Sequence, residues 1–212
     1  LDRTLIGPRV LTGLKPGARV IGCWMVPCGR CFQCLKGRPN ICETNMPFFM
    51  AGNLLDNTSR FKDMNGKRVG MSNFVAGFAT HTVLPEIGAI KVPDHIKLPP
   101  EQLCLRGGCV VTGWGSVVKV ADVCEGTSIG VWGCGAVGLN AIRFAALRNC
   151  FPILAVDLEE SKRAIALEFG ATHFVNSSEE DPVPIARQLT GGNGLEYAVE
   201  AIAARIAALT PP

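Results

Sequence analysis

The sequence has no stretch of 18 apolar residues, so nothing in it reads as membrane-spanning. Its most apolar segment, VWGCGAVGLNAIRFAAL, is broken by glycines and by Arg143. No run of basic residues occurs either. Lys and Arg outnumber Asp and Glu by only 21 to 18, and the small group Arg60, Lys62, Lys67 and Arg68 is offset by Asp63. Nucleic-acid binding needs a phosphate-neutralising patch, so no nucleic-acid partner is expected. The opening LDRTLIGPRV lacks the apolar core of a secretory signal, and the expected location is the cytoplasm. Its first residue is Leu rather than Met, which suggests processing or a piece of a longer chain. There is no internal repeat and no low-complexity segment. What remains is a globular composition, 48% apolar, with length for one large domain or two small ones.

Against that background the cysteines stand out. Ten are present, and four lie within CGRCFQCLKGRPNIC at positions 28, 31, 34 and 42. A reducing compartment argues against a disulfide framework. The spacing C-x2-C-x2-C-x7-C suits four thiolates closing a tetrahedral shell around zinc, with Gly29 and Gly37 easing the turns. A shell of four thiolates leaves no open position, so such a site holds a loop and performs no chemistry. Iron–sulfur ligation also uses C-x2-C-x2-C, but there the next cysteine typically follows after three residues and precedes proline. Here Cys42 follows after seven and precedes Glu43. A group of free thiols is the plain alternative. Cys23, Cys104, Cys124, Cys134 and Cys150 sit among apolar neighbours and read as small buried hydrophobes.

The first half is rich in turns and short strands. GLKPGARV reads as a turn feeding a strand from Val20, Asn65-Gly66 as a hairpin turn, and FATHTVLPE and IGAIKVP as strands. Pro99-Pro100 marks a boundary between residues 1–98 and 99–212. Beyond it, EQLCLRGGCVVTGWGSVVKVA reads as helix interrupted by glycines. Strands at TSIGVWG, FPILAVD, THFVN and LEYAVEA then alternate with helices, the pattern of a parallel sheet with crossover helices. The tail AARIAAL is Ala-rich and reads as a possible cover for a sheet edge.

Gly133, Gly135 and Gly138 form G-x-G-x-x-G after a predicted strand and at the start of a helix. Asp157 ends the next strand, 19 residues after Gly138. Gly133 would allow the tight turn, Gly135 the approach of a pyrophosphate and Gly138 close packing of helix on sheet. The helix N-terminus would favour the phosphates. Asp157 would accept hydrogen bonds from ribose hydroxyls and repel a 2′-phosphate, which favours NAD over NADP. Lys162 lies close enough in sequence to reach the same ribose. The plain alternative is a glycine turn with Asp157 capping the next helix.

From about Lys15 to Ile202, the cysteine cluster and the segments TGWGSVVKVADV, VWGCGAVGLNAI and AVDLEESKRAIALEFGATHFVN together resemble the zinc-containing medium-chain alcohol dehydrogenases. The resemblance implies an α/β chain: a truncated GroES-like, β-rich lobe with structural zinc (1–98), then a partial Rossmann-like parallel sheet with helices (99–212). It implies zinc and NAD as cofactors, an alcohol or aldehyde substrate and a possible homo-oligomer. In that family a second zinc, held by Cys, His and Cys, polarises the alcohol oxygen. The family's first Cys, relay hydroxyl and His lie upstream of the KPG turn and are not in this sequence. Its last ligand falls in a Gly-Cys-Gly-Val-x-Thr-Gly pattern. Counting back from Thr112, Gly108 occupies the ligand position, and Cys109, the one catalytic candidate here, stands one residue later. On a helix that is a rotation of about 100°. Thr112 resembles a residue that packs beside the nicotinamide. His81 and His95 are candidates only by residue type. Two functions follow: a zinc-dependent alcohol dehydrogenase, or a non-catalytic module that keeps structural zinc and at most binds NAD.

Overall fold

The computed structural model describes residues 14–71 and 73–202. The tail reading at AARIAAL lies outside the described residues. The chain divides into two compact units between Gly107 and Gly108.

In the first unit Gly17, at φ +85°, closes the KPG turn, with the Ala18 N–H donating to the Lys15 carbonyl at 3.0 Å. Strand β1 (Val20–Gly22) follows. Helices α1 (Phe32–Leu35) and α2 (Met46–Met50) flank a 3-10 turn at Pro39–Ile41. The hairpin β2 (Phe61–Lys62) and β3 (Arg68–Val69) is antiparallel. It turns at Gly66, at φ +78°, and Asp63 accepts from the Asn65 and Lys67 amides at 2.9 and 2.8 Å. Strand β4 (Ala89–Lys91) returns to pair antiparallel with β1. Residues 78–86 form no strand, contrary to the sequence expectation. Phe78 is fully exposed and Leu84 only half-buried, so the apolar alternation there does not make a buried face. The small core holds Val26 and Phe74, and Phe49 stacks between Trp24 and Phe74 with ring centroids 5.8 and 6.0 Å away. Helix α3 (Pro100–Leu105) ends the unit.

Between Arg106 and Val120 the helical backbone alternates: π at Arg106–Val110, α4 at Val111–Trp114 and π again at Gly115–Val120. In the second unit strand β5 (Ile129–Trp132) leads into α5 (Ala136–Leu147), and β6 (Ile153–Asp157) into a 3-10 turn and α6 (Arg163–Phe169). Then come β7 (His173–Asn176), α7 (Pro182–Leu189) and β8 (Tyr197–Glu200). The four strands form one parallel sheet in the order β7-β6-β5-β8. Helices cover both of its faces, so β5 and β6 read as continuous apolar runs rather than alternating ones. Val131, Ile142 and Leu154 are fully buried, each contributing about 1.5–3 kcal/mol. Gly170, at φ +114°, stops α6, and the Asp181 carboxylate caps α7 by accepting from the Val183 N–H at 3.0 Å. Gly113 of α4 lies so close to α5 that an added Cβ would stand 2.7 Å from the Ala141 nitrogen. Among the described residues no helix is long and apolar enough to cross a membrane.

Of the cysteines expected to be buried, Cys134 and Cys150 are; Cys23 is half-buried, and Cys104 and Cys124 are exposed. Cys104 stands on the outer face of α3, where its thiol donates to the Glu101 carbonyl at 3.1 Å. Cys124 sits in the turn after the second π segment. Apolar neighbours in sequence did not give either of them an apolar environment.

Candidate metal centre and nucleotide loop

The sulfurs of Cys28, Cys31, Cys34 and Cys42 all lie within 4.8 Å of one another. Tetrahedral zinc with Zn–S of 2.3 Å requires sulfurs about 3.8 Å apart. The Cys31–Cys42 separation is 3.9 Å, so that edge of the cage already has the length the ion requires. Cys31 caps α1, which carries Cys34 on its first turn. Gly29 and Gly37, at φ +74° and +75°, make the two bends that fold Cys28 and Cys42 back onto that turn. Cys42 is fully buried, and the Cys28 N–H points at its sulfur at 3.3 Å.

Polar groups favour thiolate at one corner. The Cys28 sulfur meets the Thr44 hydroxyl at 3.4 Å and receives the Arg30 and Cys31 N–H groups at 3.5 and 3.3 Å. The Thr44 hydroxyl first, then the Arg30 amide, draws the Cys28 thiol down to about 6. Burial, then the neighbouring Cys31 thiol, pushes Cys34 up to about 11. Four bare thiolates this close repel one another; a divalent cation removes that conflict, because ligation deprotonates the thiols. The donor set therefore fits zinc. Thr44 was not singled out from the sequence, although its place two residues after Cys42 is the available signal.

Among the described residues this is the one grouping of three or more converging His, Cys, Asp or Glu ligand atoms. Cys109 is half-buried in the first π segment and belongs to no such grouping. His81 and His95 are exposed and belong to none. The Thr112 hydroxyl donates to the Gly108 carbonyl at 2.8 Å, bonding back along its own helix.

At the second site the glycines act separately. Gly133, at φ +93°, turns the chain out of β5, and its N–H donates to the Val156 carbonyl at 2.7 Å. A Cβ on Gly135 would meet nothing within 4 Å, so the space over the N-cap of α5 is open. A Cβ on Gly138 would collide with the Gly133 carbonyl, so helix and turn touch backbone to backbone. Asp157 stands at the end of β6 beside this turn. Its Oδ2 accepts from the Cys134 N–H at 2.6 Å and its Oδ1 from the Glu159 N–H at 3.1 Å. Lys162 is half-buried in the following 3-10 turn, near enough for its charge to act on the Cys134 thiol. Burial first, then the Asp157 charge, pushes that thiol up to about 11. Gly133, Gly135, Gly138, Asp157 and Lys162 thus converge on the carboxyl end of the sheet, where open parallel sheets bind ligands.

Comparison with known proteins gives family matches in both units. Residues 5–94 match the alcohol dehydrogenase GroES-like domain, and residues 136–209 the zinc-binding dehydrogenase domain. The chain is 34% identical over 175 residues to the S-(hydroxymethyl)glutathione dehydrogenase of Saccharomyces cerevisiae, covering 82% of this chain and 45% of that protein. It is 38% identical over 177 residues to the alcohol dehydrogenase class-3 of Cereibacter sphaeroides, covering 83% and 46%. Thus the chain spans less than half the length of these relatives. Among solved structures, an alcohol dehydrogenase zinc-binding domain protein from Burkholderia ambifaria superposes with a TM-score of 0.83 at 35% identity, over 96% of this chain and 54% of that one. Benzyl alcohol dehydrogenase from Acinetobacter calcoaceticus gives 0.74 at 31%, over 91% and 51%.

Proposed function

Because the chain belongs to the medium-chain, zinc-dependent alcohol dehydrogenase family, we propose that it supplies that family's structural zinc and NAD-binding elements without itself completing a hydride-transfer site. The carrying observation is the metal-ligand set. Among the described residues the converging ligands are four cysteines, which fill a tetrahedral shell and leave no position for an alcohol oxygen. Gly108 occupies the position at which the family pattern has its last catalytic ligand. Zinc bound by Cys28, Cys31, Cys34 and Cys42 supplies cross-linking and charge neutralisation to a lobe with a small core.

NAD supplies the hydride-accepting ring when bound. The residues here would serve its other end. Gly135 leaves room for the pyrophosphate, the first turn of α5 offers N–H groups to it, and Asp157 and Lys162 flank the adenosine ribose. Thr112 is the candidate neighbour of the nicotinamide and Cys109 the candidate contributor to a second zinc. Oxidation of an alcohol, or reduction of an aldehyde, is the activity proposed for a protein that also carries the remaining family ligands.

Zinc per chain, NAD binding by titration calorimetry and alcohol-dependent NADH formation, measured on one preparation, test this. One zinc, saturable NAD binding and no NADH support it. Two zincs with NADH formed from a primary alcohol would overturn it in favour of an active dehydrogenase built partly on Cys109.

A further inference from the structure

The Asp157 carboxylate is already engaged without any nucleotide. Of its roughly four lone-pair sites, one on Oδ2 takes the Cys134 N–H at 2.6 Å and one on Oδ1 takes the Glu159 N–H at 3.1 Å. Cys134 lies between the first two glycines of the turn, so the shorter bond ties the phosphate loop to the end of β6. The bond from Gly133 N–H to the Val156 carbonyl, 2.7 Å, anchors the same turn one residue earlier. Two consecutive loop amides are therefore held by two consecutive residues of β6. Only the second acceptor is a side chain, and only that one can be altered by mutation.

We propose that Asp157 is a positioning residue for the glycine-rich loop, holding the Cys134 amide so that the open space over Gly135 is preformed before a nucleotide arrives. The inference rests on the NAD-binding reading for its consequence, though not for the bond itself. Preorganisation of this kind removes an ordering cost from binding. It also predicts that the carboxylate matters to a nucleotide that has no ribose hydroxyls to offer it. A residue serving only the ribose would not.

The test uses 2′,3′-dideoxy-ADP, which lacks both hydroxyls, with the full chain and its Asp157→Ala and Asp157→Asn variants, each checked for an unchanged fold by circular dichroism. Asp157→Ala is expected to weaken dideoxy-ADP about tenfold, the effect of losing one charge-assisted hydrogen bond. Asp157→Asn retains one acceptor oxygen for the Cys134 N–H and is expected to recover most of that loss. In nucleotide-free protein, hydrogen exchange at the Cys134 amide is expected to rise about tenfold or more in Asp157→Ala. Dideoxy-ADP affinity and Cys134 exchange both within twofold of the parent would overturn the proposal. If the parent chain bound neither NAD nor ADP, the NAD reading would fall, and the exchange measurement alone would decide the positioning role.

Discussion

Gly138 faces the carbonyl oxygen of Gly133 with no room for a Cβ between them, whereas the equivalent direction from Gly135 is empty. Two glycines of one motif therefore answer to different constraints. Gly138→Ala must push α5 away from the turn, at a cost of about 3 kcal/mol, seen as a fall of about 10 °C in melting temperature. Gly135→Ala should melt within about 2 °C of the parent yet bind NAD roughly tenfold or more weakly, because its methyl occupies the pyrophosphate approach. Equal losses of stability in the two variants would contradict this division.

The zinc cage carries its own expectation. Cys42 is fully buried and its sulfur stands 3.9 Å from that of Cys31. Cys42→Ser should lower bound zinc from about one per chain to near zero, because three thiolates and a hydroxyl make a much weaker set. Amide protection should then fall across residues 28–46. It should persist in β5 and β6, whose clusters around Val131, Ile142 and Leu154 include no residue of the zinc lobe. Removing zinc with a strong chelator should give the same pattern. Loss of protection in β5 on chelation would show the two units to be one cooperative body.

Cys134 bears on pH. Its thiol is pushed from the ordinary 9.0 to about 11, chiefly by burial and then by the Asp157 charge, with Lys162 opposing. The folded state therefore holds the proton more tightly than the unfolded chain. The resulting stability is complete below about 9 and is lost as pH rises through about 11. Hence the stability advantage of the parent over Cys134→Ala should shrink across that window. At pH 8, iodoacetamide should label exposed Cys104 and Cys124 long before Cys134, which is buried and whose raised pKa leaves about 100-fold less thiolate than the ordinary 9.0 would. Mass mapping of a time course reads this directly. Early labelling of Cys134 would show that the glycine loop opens readily.

The strongest features were legible because they are local or fully buried. In Cys28, Cys31 and Cys34 the chain itself supplies ligands one short turn apart, and Gly29 and Gly37 betray the bends. The central strands β5 and β6 announced themselves as nearly unbroken apolar runs between polar turns, since burial on both faces removes the alternation. Residues 78–86 misled for the opposite reason. Their alternation resembles a strand, but a strand needs a partner, and Phe78 and His81 face outward. The partner that β1 does find, β4, lies some 70 residues away, and no short pattern announces so distant a pairing. The π segments on either side of Thr112 were also hidden. Glycine interruptions were visible, but whether a helix answers with a break or a wider turn depends on what it packs against. Nor did the motif reveal that Asp157 grips Cys134, because motif spacing specifies position and not hydrogen-bond direction.

One further pair fixes the edge of the parallel sheet. The Glu196 carboxylate accepts from the Ser128 N–H at 2.7 Å and from its hydroxyl at 3.1 Å, while the Ser128 oxygen accepts from the Glu196 N–H at 3.0 Å. Ser128 is buried and immediately precedes β5; Glu196 immediately precedes β8. The clamp therefore sets where the two strands start pairing, Ile129 opposite Tyr197. Glu196→Ala leaves a buried N–H and hydroxyl without their acceptor, a cost of about 1–3 kcal/mol. Glu196→Gln keeps an acceptor oxygen in place and should lose less than half as much. Ser128→Ala leaves the Glu196 N–H without its acceptor but keeps the backbone amide at position 128 on the carboxylate, and should fall between the two. Urea denaturation followed by tryptophan fluorescence ranks the three, with Trp132 at the end of β5 as a reporter. If Glu196→Ala matched the parent, the register of β8 would have to come from its apolar contacts, above all buried Val199, and not from the clamp.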